Sequence, residues 1–187
     1  MTAAAHEQRV DWEPALVQRA RQGDMRAFER LYREHIGRVY GLCVRLTRDV
    51  TNAEDCAQET FINAWRALQS FETRSAFGTW LHRIAVNVVL SKRRQRTPWP
   101  PNGASEPEEP GEADWALDTP VEVEEIETAI GALPDGARDV LVLCGIYGYS
   151  HGEAGVMLGV AEGTCKAQLH RARALLRRRL DLESEAS

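Results

Sequence analysis

Residues Ser150–Leu180 read SHGEAGVMLGVAEGTCKAQLHRARALLRRRL, and their punctuation decides the fold. A short helical pattern, Ser150–Leu158, meets the break Gly159-Val160-Ala161-Glu162, and a longer pattern, Gly163–Leu182, follows. Two helices around a four-residue turn containing glycine form the helix-turn-helix signature. On a helical wheel of about 100° per residue, Cys165, Leu169, Ala172 and Leu176 fall on one side, the side that packs. Lys166, Ala167, His170 and Arg171 fall away from it, with Gly163 and Thr164 at the helix start. The second helix of such a motif enters the DNA major groove N-terminal end first. Thr164, Lys166, Ala167, His170 and Arg171 are therefore candidate DNA contacts, the cations toward guanine edges or phosphates. The rival reading is a solvated basic face.

From Gly163 to Leu180 there are six cations and no acid, in a chain with 23 Lys plus Arg and 28 Asp plus Glu. The acidity is concentrated elsewhere. Residues 97–127 hold ten acids and no base, which leaves 23 basic and 18 acidic residues outside that segment. Within it, Thr97–Pro120 carries six prolines together with Gly, Ser and Glu. Such a composition buries too little apolar surface to offset its ordering entropy, so it reads as an extended acidic linker. Trp99 and Trp115 are its unusual residues.

Before the linker, four helical patterns succeed one another: Trp12–Arg21, Arg26–Leu46, Thr51–Leu68 and Ser75–Arg94. The second places Phe28, Leu31, Tyr32, His35, Val39, Leu42, Cys43 and Leu46 at helical spacing. The third opens on a Thr-Asn cap candidate and aligns Ala53, Ala57, Phe61, Ala64, Trp65 and Leu68. The fourth turns Phe77, Leu81, Ile84, Ala85 and Val88 inward. After the linker, Val121–Ala132 and Ala137–Gly145 precede the helix-turn-helix. No strand alternation of useful length appears. The chain reads as all-α: two small helical domains joined by a flexible acidic linker.

Several classes drop out. No run of about 18 apolar residues exists to span a membrane. The N-terminus has no apolar signal-peptide core, which predicts a cytoplasmic protein. Cys43, Cys56, Cys144 and Cys165 lie far apart, each within a helical pattern, and read as reduced core residues rather than metal ligands. No nucleophile–base grouping or phosphate-cradling loop suggests an enzyme, and no cofactor, metal or small-molecule substrate is expected.

Three blocks now carry a resemblance: NAEDCAQETFINAW (Asn52–Trp65), SFETRSAFGTWLHRIAVNVVLSKRR (Ser70–Arg94) and the stretch Ala132–Leu180. In this order they resemble the RNA polymerase sigma factors of the extracytoplasmic-function (ECF) group, within the sigma-70 family. The likeness runs from about Asp11 to Leu180. It implies an N-terminal tail at 1–10, region 2 at 11–96, a linker at 97–120 and region 4 at 121–183. Region 2 would bind the β′ clamp of core RNA polymerase and the −10 promoter element. Region 4 would bind the −35 element and the β flap.

Asp55, Gln58, Glu59 and Asn63 lie opposite the apolar stripe of their helix, a face that suits the basic clamp helices. Arg83, Asn87 and Ser91, spaced by four, share one helix face. By resemblance that face reads the −10 element, Asn87 meeting a base while Lys92, Arg93, Arg94 and Arg96 meet phosphates. The stretch Phe71–Ala76, with Ser75, is similar to the family loop that traps a flipped base and so helps to open the DNA. Phe71 reads equally as core; Phe77 and Trp80 read as core. The family also implies an anti-sigma factor, commonly membrane-anchored, which would hold this protein at the inner membrane. A stand-alone helix-turn-helix regulator is the alternative, and it leaves the N-terminal half unexplained.

The chain departs from the family pattern at two places. Ala154-Gly155 stands where an Ile-Ala pair is common, which either loosens the turn or lets the helices pack closer. Cys165-Lys166-Ala167-Gln168 replaces Val-Lys-Ser-Arg, and so removes two potential DNA donors.

Overall fold

The computed structural model describes residues 12–96 and 123–184. The linker reading, Trp99 and Trp115 included, lies outside the described residues. The chain divides between Arg93 and Arg94 into two compact units, and no strand occurs among the described residues.

The N-terminal unit contains α1 (Glu13–Arg21), α2 (Met25–Thr47), α3 (Val50–Ala67) and α4 (Phe77–Arg96), with a 3₁₀ turn at Leu68–Ser70 after α3. Asp24 caps α2 by accepting from the amides of Arg26 and Ala27 at 3.0 and 3.1 Å. Those bonds and the Arg19 guanidinium 2.6 Å away hold its carboxyl below the usual range. The cap of α3 corrects the Thr-Asn expectation: Asp49 does the work, accepting from the Asn52 amide at 2.9 Å. Arg48 makes the corner possible with φ of 58°, so the helix starts one residue before Thr51.

Packing follows the periodicity. Leu31, Val39, Leu42, Cys43 and Leu46 of α2 meet Ala53, Cys56, Ala57, Phe61 and Ala64 of α3, all buried. The small residues on α3 let the two long helices lie close. α4 adds Phe77, Leu81, Ala85, Val86, Val88 and Val89. A second, aromatic layer joins Phe28 to Trp65 and Tyr32 to Phe61, with ring centroids 4.9 and 4.7 Å apart. His82, only 6% exposed, is the one buried histidine among the described residues. Burial, Arg38 and His35 push its pKa down to about 4, so it is neutral near pH 7.

The C-terminal unit holds α5 (Val123–Gly131), α6 (Asp135–Val140), α7 (His151–Leu158) and α8 (Glu162–Ser184). α6 runs on through Leu141–Ile146 as a π-helix, with the Tyr147 amide donating to the Val142 carbonyl at 3.1 Å. The sequence pattern suggested one ordinary helix there. Arg138, 2% exposed, clamps the α5–α6 corner by donating to the Leu133 carbonyl at 3.2 Å and to Asp135 at 2.6 Å.

Ser150 and Glu153 form a reciprocal capping box at the start of α7. Gly159 ends that helix with φ of +71°. Gly155 settles the question of the turn. A Cβ there would stand 2.8 Å from the Val160 carbonyl oxygen, so glycine brings the turn in closer rather than loosening it. Beneath, Ala154 and Met157 pack with Cys165, Leu169, Ala172 and Leu176.

Candidate DNA and polymerase surfaces

On α8 the buried positions are Cys165, Leu169, Ala172, Leu176 and Leu180, and this stripe fixes what the helix shows to solvent. Thr164, Lys166 and Arg171 are exposed; Ala167 and His170 are half-buried at the edge of the same open side. A Cβ on Gly163 would meet nothing within 4 Å, so the N-terminal end of α8 is open to a close-approaching surface. Lys166 Nζ lies 2.9 Å from Glu162 Oε1, one helical turn earlier. That bond holds the Glu162 carboxyl below its ordinary range. Gln168 turns the other way, with its amide beside Gly136 of α6. Arg178 and Arg179 stay exposed further along. The arrangement is a rigid rod with a dry side and a side of donors.

The cysteines follow their sequence reading: Cys43, Cys56 and Cys165 are buried and Cys144 half-buried. Desolvation raises the pKa of Cys43, Cys144 and Cys165, which keeps them protonated thiols.

In the N-terminal unit, α3 exposes Asp55 and Gln58, with Glu59 and Asn63 half-buried. Ile62, 51% exposed, stands among them and escaped the sequence reading. Its signal was available, because Ile62 falls off the Ala53–Ala57–Phe61–Ala64 stripe. An apolar side chain ringed by polar ones is the usual make-up of a protein-binding patch.

α4 sorts its predicted contacts. Asn87 is exposed, while Arg83 and Ser91 are half-buried and the Arg83 Nε makes no hydrogen bond. Lys92 and Arg93 both have partners inside the unit. Lys92 Nζ lies 3.2 Å from Glu59 Oε2 on α3, and Arg93 donates to the Leu46 carbonyl at 3.0 Å. The Arg93 bond satisfies a carbonyl at the end of α2, an internal duty that sequence spacing did not reveal. Arg94 is exposed.

The loop before α4 divides likewise. Phe71, 4% exposed, is core: its ring lies 4.8 Å from that of Trp80 and 5.9 Å from that of Phe77. Both readings of Phe71 were open, and packing takes the ring. Ser75 is half-buried and Ala76 exposed; Thr73 between them and Phe71 adopts φ of 51°. Trp80, half-buried, completes the aromatic floor. Among the described residues no group of three or more His, Cys, Asp or Glu could hold a metal, and no helix is long and apolar enough to cross a membrane.

Comparison with known proteins agrees with this division. Residues 31–98 match Sigma-70 region 2, and residues 123–176 match Sigma-70, region 4. The RNA polymerase sigma-H factor of Pseudomonas aeruginosa is 36% identical over 170 residues, 84% of this chain and 88% of that one. The ECF RNA polymerase sigma factor SigW of Bacillus subtilis is 35% identical over 179 residues, 88% of this chain and 94% of its own. Among solved structures, the sigma factor RpoE of Bartonella quintana, in complex with the anti-sigma factor NepR, superposes with a TM-score of 0.64. That match has 26% identity and covers 82% of this chain and 96% of that one. With relatives this similar along most of its length, the chain belongs to the sigma-70 family of RNA polymerase sigma factors, in the extracytoplasmic-function group.

Proposed function

We propose that this protein binds core RNA polymerase and brings it to promoters whose two elements are read by its two units. The observation that carries the reading is α8, whose Cys165–Leu180 stripe is buried while Thr164, Lys166 and Arg171 face solvent. In the C-terminal unit, Lys166 and Arg171 meet the −35 element, with Thr164, Ala167 and His170 shaping the approach. In the N-terminal unit, Asn87 leads the −10 contact, and Arg83 and Ser91 flank it. Residues Phe71–Ala76 receive the unstacked base, with Ser75 and Ala76 lining the opening and the Phe71 ring beneath as support. Asp55, Gln58, Glu59 and Asn63, around Ile62, meet the β′ clamp.

The domain limits follow the same reading: region 2 at 11–96, linker at 97–120 and region 4 at 121–183. The protein works in the cytoplasm. An anti-sigma factor holds it off polymerase, as the Bartonella relative is seen in such a complex; a membrane anchor on that partner would keep the pair at the inner membrane.

The test is promoter binding with and without core polymerase. The full-length protein should select its promoter only together with core, whereas a stand-alone regulator would bind the duplex alone. Lys166→Ala and Arg171→Ala should each weaken −35 recognition by about 1–3 kcal/mol where the contact is to a base. Unchanged transcription from the cognate promoter in both variants would refute the assignment of α8.

A further inference from the structure

Glu162 is the first residue of α8, at the end proposed to enter the major groove. An acid there repels phosphates and lowers general affinity for DNA. Its bond to Lys166 contributes little to stability, since both side chains are more than half exposed, at 56% and 60%. The geometry nevertheless constrains the lysine. A lysine side chain is a flexible point donor that any acceptor satisfies: guanine, thymine, adenine N7 or phosphate. Tied at 2.9 Å to Glu162 Oε1, its ammonium lies beside a group that only accepts. The other carboxylate oxygen lies toward the start of α7, 3.8 Å from where a Cβ on Gly152 would sit. Glu162 is thus tied to Lys166 through one oxygen and turns the other toward α7.

We infer that Glu162 and Lys166 read one G·C base pair of the upstream element as a single unit, Lys166 donating to guanine O6 and N7 and Glu162 accepting from cytosine N4. This rests on the reading of α8 as the recognition helix. Across the major groove a G·C pair presents two acceptors and then a donor. An A·T pair presents acceptor, donor, acceptor, and sets thymine O4 and its methyl group against the carboxylate. The lysine alone tells these pairs apart poorly. The lysine with its acid partner matches one of them in one orientation. Glu162 is then a specificity residue that lowers affinity everywhere and least at its own base pair.

Holoenzyme assembled from core polymerase and full-length protein, presented with promoters randomised across the upstream element, provides the test. The wild type should select G·C at one position. Glu162→Ala should lower that preference by about fivefold or more at that position alone, while binding to mismatched promoters rises. Glu162→Gln, close in shape and uncharged, should shift the same position toward A·T, because an amide pairs well with adenine. A merely structural role would move no single position. If both variants keep the wild-type preference at every position, with only a uniform gain in binding, the inference is overturned. If the wild type itself shows no upstream preference, the recognition-helix reading fails, and the inference falls with it.

Discussion

The two units each leave a helix face open to solvent, and they build it from different materials. The N-terminal unit rests on helices of 23, 18 and 20 residues and on stacked aromatic rings. The C-terminal unit uses helices of six to nine residues around one long α8, and its apolar core is Ala, Leu, Ile, Val, Met and Cys. Long helices with a deep core leave broad faces free, so α3 and α4 can each hold a row of polar residues. Short helices around a single rod leave one narrow face.

The largest effect should come from breaking the broad surface. Exchanging Asp55 and Gln58 together for Lys sets like charge against the proposed basic clamp. Core binding should fall by roughly a hundredfold or more, the several kcal/mol that like charges set face to face cost at an interface. Helical circular dichroism should stay unchanged, because both side chains are exposed. Core affinity retained in that variant would remove the assignment of α3 and with it the contrast between the units.

Acid should distinguish the units next. His82 has a folded pKa of about 4 against an ordinary 6.5, so the unfolded chain binds the proton more readily. The stability that follows from keeping His82 neutral is complete above about pH 6.5 and is lost as pH falls towards 4. The loss amounts to about 3 kcal/mol, all of it in the N-terminal unit. Denaturant unfolding at pH 7 and 4.5 should show this slope, and His82→Gln should flatten it. Parallel losses in the variant and the wild type would place the acid sensitivity elsewhere.

The smallest effect should arise at the turn of the narrow unit. Gly155→Ala brings a Cβ against the Val160 carbonyl and should destabilise the C-terminal unit by about 1–3 kcal/mol. That the family commonly has alanine there sharpens the test. An unchanged unfolding midpoint would mean that the turn relaxes freely.

Most of the fold could be read in advance, because helical packing writes itself along the chain. The stripe Cys165–Leu169–Ala172–Leu176 and the Gly159 break marked the helix-turn-helix, and α2 and α3 buried the alanines and leucines their spacing indicated. What stayed hidden depends on distances between residues far apart in sequence. Arg93 and Leu46 are 47 positions apart, and nothing local says that this arginine faces inward. Phe71 could have stacked on a base or on Trp80, and only the third dimension decides. The π-helical stretch Leu141–Ile146 keeps a helix-like pattern of apolar residues, so its wider winding left no trace. Glu162, read only as part of a turn, proves to be a lysine's partner.

The bridge from Lys92 to Glu59 spans the two outward faces of the N-terminal unit. Whatever claims the carboxylate on one face unties the ammonium on the other. A half-exposed pair of this kind is worth under about 1 kcal/mol, so on the proposed assignment of the two faces the exchange would tilt promoter engagement by a few-fold at most. Were α3 to dock on the enzyme and α4 on the duplex, as proposed, the two would form a gently geared interlock, in which the first handshake loosens the fingers for the second.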